Sequence, residues 1–437
     1  MPRSIPCTGP STPTRWPFAA GIITAAAVGD RFGRRRVFAA GLTLFAIASA
    51  ACALSPSANV LIIARTVQGL AAAMVAPLGL TLLTSAFPAE RRGAVIGIWG
   101  GVAGLAVASG PLVGGVLTQV LSWHAIFWLN VPIGLIAAVL AMLWLPESFG
   151  PRTRLDLPAV ALVSVGAVGI VLGLVRATGV GWGSPETVLS LGLGLLSMAG
   201  FVFWELRAAA PMVPMRLFRN QTFSAANTTA FFMSGAQFAA AFFIAQYFQL
   251  GLGYSPLETG LRILPWSATP LIVAPLVGAL SDRVGGRPLL LVGMLLQAAG
   301  FIAFAVLASS GAGYWPAIAG LVVADVGVSM VLPVAPAVIL GVAPLDMGRA
   351  SAVNNTLQRF GTAFGVAVAT AVFSVNGTLA TAASFTAGLW PALAAVAALS
   401  VLGALSALAV GTRPTAVAVA SARDGDATAE VEWSLAA

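Results

Sequence analysis

The chain has no lysine, one histidine and two cysteines among 437 residues, and only 8% of its residues are charged. Soluble domains carry about a quarter charged residues, so so deep a deficit argues against a soluble globular fold. Cys7 and Cys52 are too few and too badly placed for a disulfide framework or a thiolate metal cluster. With His124 as the sole imidazole, zinc chemistry and haem ligation by paired histidines are nearly excluded. No phosphate-binding loop for ATP exists, and no nucleophile–base constellation marks an enzyme. Neither a cofactor nor a metal site is expected.

What the chain has is apolar length. Hydrophobic residues make up 59% of it. Stretches of about 20 such residues recur, each long enough to cross a bilayer as a helix. The short alternating segments of a barrel are absent, so the expected fold class is an all-α polytopic membrane protein. Spans are predicted at Trp16–Val28, Val37–Leu54, Asn59–Phe87, Gly93–Val120, Ala125–Leu145, Leu157–Val175 and Thr187–Leu206. They continue at Thr222–Leu250, Pro256–Leu280, Pro288–Ala308, Trp315–Val342, Ala350–Val375 and Thr386–Val410, thirteen in all.

The formal charge of +8 comes from 22 arginines. In a soluble protein that excess would point to nucleic acid; here no basic surface interleaved with aromatics exists, and no nucleic-acid partner is expected. Arg91, Arg92, Arg152, Arg154, Arg207, Arg216, Arg219, Arg283, Arg287, Arg349 and Arg413 fall on the same side as the arginine-rich loop at Asp30. The opposite loops, Ser55–Ala58, Leu121–Trp123, Ser309–Tyr314 and Asn376–Ser384, contain none. By the positive-inside rule the arginine side is cytoplasmic and can meet anionic lipid heads. The expected organisation is a disordered segment 1–15, an incomplete five-helix bundle 16–145, two linking spans in 146–206, and a cytoplasmic linker 207–220. A six-helix bundle 221–411 and a disordered cytoplasmic tail 412–437 follow.

Two loops repeat. Gly29–Arg36 reads GDRFGRRR and Ser281–Arg287 reads SDRVGGR, each between two apolar stretches. Such a repeat marks two related bundles in one polypeptide. Asp30, Arg31, Gly33 and Arg34, with Asp282, Arg283, Gly285 and Arg287, are therefore candidate cytoplasmic gating residues, glycine allowing the tight turn. Topology anchoring explains Arg34–Arg36 but not the repeated Asp-Arg-x-Gly. Arg65, in LIIARTVQGL, places a guanidinium inside a span, which by default faces a polar interior; a snorkelling arginine is the plainer alternative. Gly97, Gly101, Gly104, Ala108, Pro111 and Gly115 recur at alternating steps of four and three, one small-residue stripe along a helix that Pro111 can bend.

Asp325 is the only carboxylate well inside a span, and it lies about 15 Å from the outer end. Arg359 sits at similar depth on its own helix, so an Asp325–Arg359 pair is conceivable, either static or proton-coupled. Ser351, Asn355, Gln358, Thr362 and Gly365 share one helical face, and Asn227, Phe231, Ser234 and Phe238 share another. Polar groups beside aromatics suit a bulky amphipathic substrate, above all a lipophilic cation; plain interhelical packing is the alternative.

These motifs together resemble the major facilitator superfamily, in particular its drug/proton antiporter branch with fourteen spans. Asp30–Arg36 and Asp282–Arg287 match its loop motif between the second and third helices of each half. Arg65, Gln68 and Gly69 match the fourth-helix motif, which the family associates with proton transfer, and Gly110, Pro111, Gly114 and Gly115 match the fifth-helix antiporter motif. The family's first helix, with its acidic residue, is expected to be missing here. The resemblance implies two bundles related by a pseudo-two-fold axis, joined by two extra helices, in a bacterial inner membrane. It also implies proton-coupled efflux of amphipathic or cationic drug-like molecules by alternating access, the proton gradient replacing any cofactor. Asp325, Arg65 and Arg359 are the candidate proton-coupling residues. Small-molecule substrate, protons and lipid are the expected partners, with a monomer as the expected state. Dedicated export of one antibiotic or metabolite, or a truncated transport-inactive protein, are the alternatives.

Overall fold

The computed structural model describes residues 28–29, 31–86, 89–149, 156–208, 213, 215–311, 313–343 and 347–411, and all regular structure among them is helical. In chain order the helices are α1 (Arg34–Ala53), α2 (Ala58–Ala86), α3 (Ala89–Val120), α4 (His124–Trp144), α5 (Leu157–Val180) and α6 (Pro185–Arg207). After a short 3-10 turn at Met215–Arg219 come α7 (Gln221–Gln246), α8 (Pro256–Ser267), α9 (Thr269–Val284), α10 (Gly286–Ser309), α11 (Tyr314–Gly341), α12 (Met347–Asn376) and α13 (Ala382–Ala407). Eight stretches among the described residues are long and apolar enough to cross a membrane. Eleven of the predicted spans each coincide with one of these helices, and Pro256–Leu280 covers α8 and most of α9. The predicted span Trp16–Val28 falls outside the described residues but for its last, and the segments 1–15 and 412–437 fall outside them altogether.

Helix ends differ from the hydropathy limits for local reasons. α1 begins inside the arginine run, because Gly33 breaks the chain at φ +103°. Pro256–Leu280 is not one helix but two: Pro270 lacks the N–H that would bond one turn back, and Ala268 takes the break. α7 widens into a single π turn at Tyr247–Gly251 before the chain leaves at Gly253 (φ +69°). Side chains cap several starts: Asp156 accepts from Ala159 N, Ser184 from Thr187 N and Asn220 from Phe223 N. At α8 a full capping box joins Ser255 and Glu258.

α1 packs on α2 and α4 to build the N-terminal bundle, and α5 pairs with α6 as a hairpin whose α5 leans on α12. In the C-terminal bundle α10 lies against α11 and α13, and α7 against α12 and α13. Small residues let these backbones meet: Gly293 faces Gly327, Gly300 faces Ala324, and Gly235 faces Gly361 and Gly365. Phenylalanine fills the rest, with Phe243, Phe248, Phe301, Phe304 and Phe385 fully enclosed. Leucine and valine dominate the outside instead, as at Leu196, Leu189 and Val375. An apolar exterior around a packed interior is what lipid requires, since water no longer drives side chains inward.

Candidate functional site

The repeated loops adopt the same backbone solution. Gly33 has φ +103° and ψ 120°, Gly285 φ +83° and ψ 163°, a region closed to residues with a Cβ. Each glycine ends one helical segment and caps the next. Around Gly33 the chain is clamped by Glu147, a residue not anticipated from sequence. Its Oε1 accepts from Arg35 N at 2.9 Å, while Oε2 lies 3.8 Å from Arg35 Nε and 3.7 Å from Arg36 Nε. Arg35 also donates to Leu145 O at 3.1 Å, and Arg34 N to Ser148 O at 3.0 Å. A carboxylate at the start of α1 meets both the helix dipole and unsatisfied N–H groups. Arg31 rests over the Phe32 ring, and in the second copy Arg283 is exposed and Arg287 half-buried. Asp30 and the side chain of Asp282 lie outside what is described.

In the N-terminal bundle Arg65 is tied inward. Its Nη1 donates to Gln68 Oε1 at 3.0 Å, and its guanidinium lies 4.7 Å from the Phe127 ring centre. Gln68, 1% exposed, passes the bond on through Nε2 to Ser49 Oγ at 3.0 Å. Ser49 in turn donates to Phe127 O and accepts from Asn130 Nδ2 at 3.3 Å. One polar chain thus joins α1, α2 and α4. The Arg65-Gln68 spacing signals it in sequence, but Ser49 and Asn130 carry no comparable mark.

Asp325 sits on α11, 1% exposed, and its hydrogen-bond donor is Gln237 Nε2 of α7 at 2.8 Å from Oδ1. Through this bond the Asp325 carboxylate faces α7. Asp325 Oδ2 and Gln237 Oε1 are both buried without a hydrogen-bond partner. The two polar stripes meet in part. Ser234 Oγ reaches Gln358 Oε1 at 3.4 Å, and the Phe231 carbonyl lies against Gly361. Asn227 and Thr362 are buried, Asn227 donating to Phe223 O at 2.9 Å within its own helix. By contrast Asn355 is exposed and bonds back to Ser351 O, and Phe238 is 37% exposed. The Phe231 and Phe364 rings meet at 5.6 Å and a 41° tilt, which gives the seam an aromatic wall.

The small-residue stripe of α3 forms a contact between the two bundles, against α8. Gly115 lies against the Pro256 carbonyl, and the Pro111 carbonyl against Gly260. Gln119 Oε1 accepts from Leu257 N at 3.0 Å, and Ser267 Oγ donates to Ala108 O at 3.2 Å. These contacts run along the second half of α3, toward the arginine-free Leu121–Trp123 loop, and along the whole of α8. Gly110 and Gly114 face open space, so of the motif's glycines Gly115 makes the close approach. A separate groove of about 290 Å³ between α5 and α6, lined by Val165, Val168, Leu172 and Leu193, touches none of these residues.

The family model "Major Facilitator Superfamily" matches residues 15–366 and 226–436. The chain belongs to the major facilitator superfamily. Among its relatives is the tetracenomycin C resistance and export protein of Streptomyces glaucescens, 36% identical over 80% of this chain and 65% of that protein. The multidrug resistance protein Stp of Mycobacterium tuberculosis is 34% identical over 79% of this chain and 65% of its own length. The cephamycin export protein of Amycolatopsis lactamdurans is 36% identical over 80% and 74%. This major facilitator chain therefore spans about two thirds of the length of the first relatives it matches. Its fold resembles a peptide transporter, POT, in complex with sulfate, at TM-score 0.65 and 18% identity over 92% of this chain and 86% of that one. A bacterial homolog of the lysosomal transporter Spinster, inward-facing and unoccupied, gives TM-score 0.65 at 17% identity over 92% and 90%.

Proposed function

We propose that this major facilitator protein exports amphipathic or cationic drug-like molecules by alternating access, driven by proton antiport, within the fourteen-span drug/proton antiporter branch. The observation that carries the reading is Asp325: a carboxylate enclosed within a helix bundle, its hydrogen bond supplied by a neutral amide. Holding a bare charge there costs several kcal/mol, so the group suits a part that gains and loses a proton as the bundles rock. The closed seam between α3 and α8 on the arginine-free side supports an arrangement open toward the arginine-rich, cytoplasmic side, where a substrate for export would enter. Ser234, Phe231, Gln358 and Thr362, with Asn227, Phe238, Ser351 and Asn355, are the proposed substrate-facing set. Arg65 and Arg359 are proposed to take part in coupling. The α5–α6 hairpin supports the fourteen-span branch, and a bacterial inner membrane, a cytoplasmic C-terminal tail and a monomer complete the proposal.

The test is accumulation of a fluorescent lipophilic cation by cells expressing the protein, with and without a protonophore. Lower accumulation that the protonophore abolishes supports the reading, and Asp325→Asn should abolish it too; accumulation equal to that of empty cells counts against it. Dedicated export of a single antibiotic is the second reading, favoured by relatives whose names carry one compound each, tetracenomycin C and cephamycin. Protection against several unrelated compounds would remove it.

A further inference from the structure

We infer that Gln237 is a positioning residue for Asp325, an amide whose two ends serve the two protonation states of the acid in turn. This rests on the proposed role of Asp325 as the proton carrier.

The argument begins from hydrogen-bonding capacity. An ionised carboxylate only accepts, so the Gln237 group facing it at 2.8 Å must be the NH2 end. A protonated carboxyl has a hydroxyl to place, and it needs an acceptor. Asp325 Oδ2 and Gln237 Oε1 are both buried with no bond made. Each state of the acid can therefore be satisfied within the same pair. With the proton absent, Nε2 donates to Oδ1; with the proton on the carboxyl, rotation of the amide brings Oε1 to accept from it. Among the hydrogen bonds of the described residues, Gln237 is the side-chain partner of Asp325. Serine would be too short, and a guanidinium or carboxylate would satisfy one state and oppose the other.

The surroundings fit this assignment. Gln237 belongs to α7, the helix whose Ser234 meets Gln358 one turn away, so the amide links the acid to the proposed substrate-facing seam. One turn toward the start of α7, Gln297 of α10 donates to Met233 O at 3.2 Å, which fixes the neighbouring backbone without touching the acid. The helices packed against α11 carry Arg349 and Arg359 on α12, Tyr247 at the end of α7, Arg262 and Glu258 on α8, Asp282 and Arg283 in the last turn of α9, and Arg287 at the start of α10. Tyr314 occupies the outer end of α11 itself and donates to Arg262 O at 2.9 Å.

The experiment is infrared titration of the carboxyl C=O band of the purified protein in lipid. Four proteins are compared: the unaltered chain, Asp325→Asn, Gln237→Met and Gln297→Met. Methionine keeps the volume of glutamine and removes its amide, and the Gln297 change controls for burying an apolar group in the same bundle. The expected result is a titrating band that Asp325→Asn eliminates. In Gln237→Met the band should move to higher frequency and its midpoint to higher pH by about 1 unit, since the bond lost to the charged form is stronger than the one lost to the neutral form. Gln297→Met should leave both where they were. A band that Asp325→Asn eliminates but Gln237→Met leaves unmoved overturns the inference alone, as does an equal shift from Gln297→Met. No titrating band assignable to Asp325 overturns the proton-carrier reading, and the inference with it.

Discussion

Replacing Gly115 by alanine should open the seam between the bundles, and the size of the effect follows from the geometry. An added Cβ would lie 2.5 Å from the Pro256 carbonyl oxygen, 3.0 Å from its carbon and 3.1 Å from Leu257 Cα. Carbon–oxygen contacts settle at about 3.3 Å or more, so α3 and α8 must part by roughly 0.8 Å. The obstacle is backbone rather than a flexible side chain, and overpacking of this kind costs about 1–3 kcal/mol. Alanine also favours the helix by up to about 1 kcal/mol over glycine, but that gain applies whether the seam is open or closed and cancels from the equilibrium. What remains shifts the population toward the open seam by about 5- to 150-fold. Ser267→Cys reports it, because Ser267 lies in the seam against Ala108. With Cys7 and Cys52 replaced, labelling by a membrane-impermeant thiol reagent should accelerate by that factor in Gly115→Ala. Gly110→Ala and Gly114→Ala, where a Cβ meets nothing within 4 Å, should label within about twofold of the parent. Equal rates for Gly115→Ala and Gly110→Ala would refute the reasoning.

Three further outcomes are expected. Glu147→Gln should lower stability by about 1 kcal/mol through weakening of the charge-assisted cap on Arg35 N, seen as a fall in Tm; Arg36 is largely exposed, and its share is small. An unchanged Tm would place the clamp among inert surface pairs. Gln68→Met should cost about 1–3 kcal/mol, since both the Arg65 and Ser49 bonds lose their common partner, and denaturant or thermal unfolding measures it. Gly361→Ala should destabilise by about 1–3 kcal/mol, its new methyl meeting the Phe231 carbonyl, whereas Gly278→Ala, with open space around it, should be close to neutral in the same melt.

Much of the fold was legible because membrane helices are specified locally. A run of apolar residues long enough to cross must be helical to satisfy its own backbone, so composition alone fixes both position and class. The break at Gly33 was legible for a similar reason, glycine being needed where φ turns positive. The stripe ending at Gly115 was visible as spacing, yet spacing could not say which of its glycines touches a neighbour. Glu147 escaped notice because its meaning depends on α4 ending beside the start of α1, far away in sequence.

Depth along a helix can be counted in sequence at 1.5 Å per residue; rotation about its axis cannot. Counting put Asp325 and Arg359 at one level and made them plausible partners. Packing of α11 against α7 brings Gln237 to the carboxylate, a neighbour that depth alone could not name. The sequence by itself thus determined which segments are helices and where the chain must turn. Only the tertiary structure decided what each buried polar group faces, because in lipid that choice is made by close backbone packing at small residues, not by burial from water.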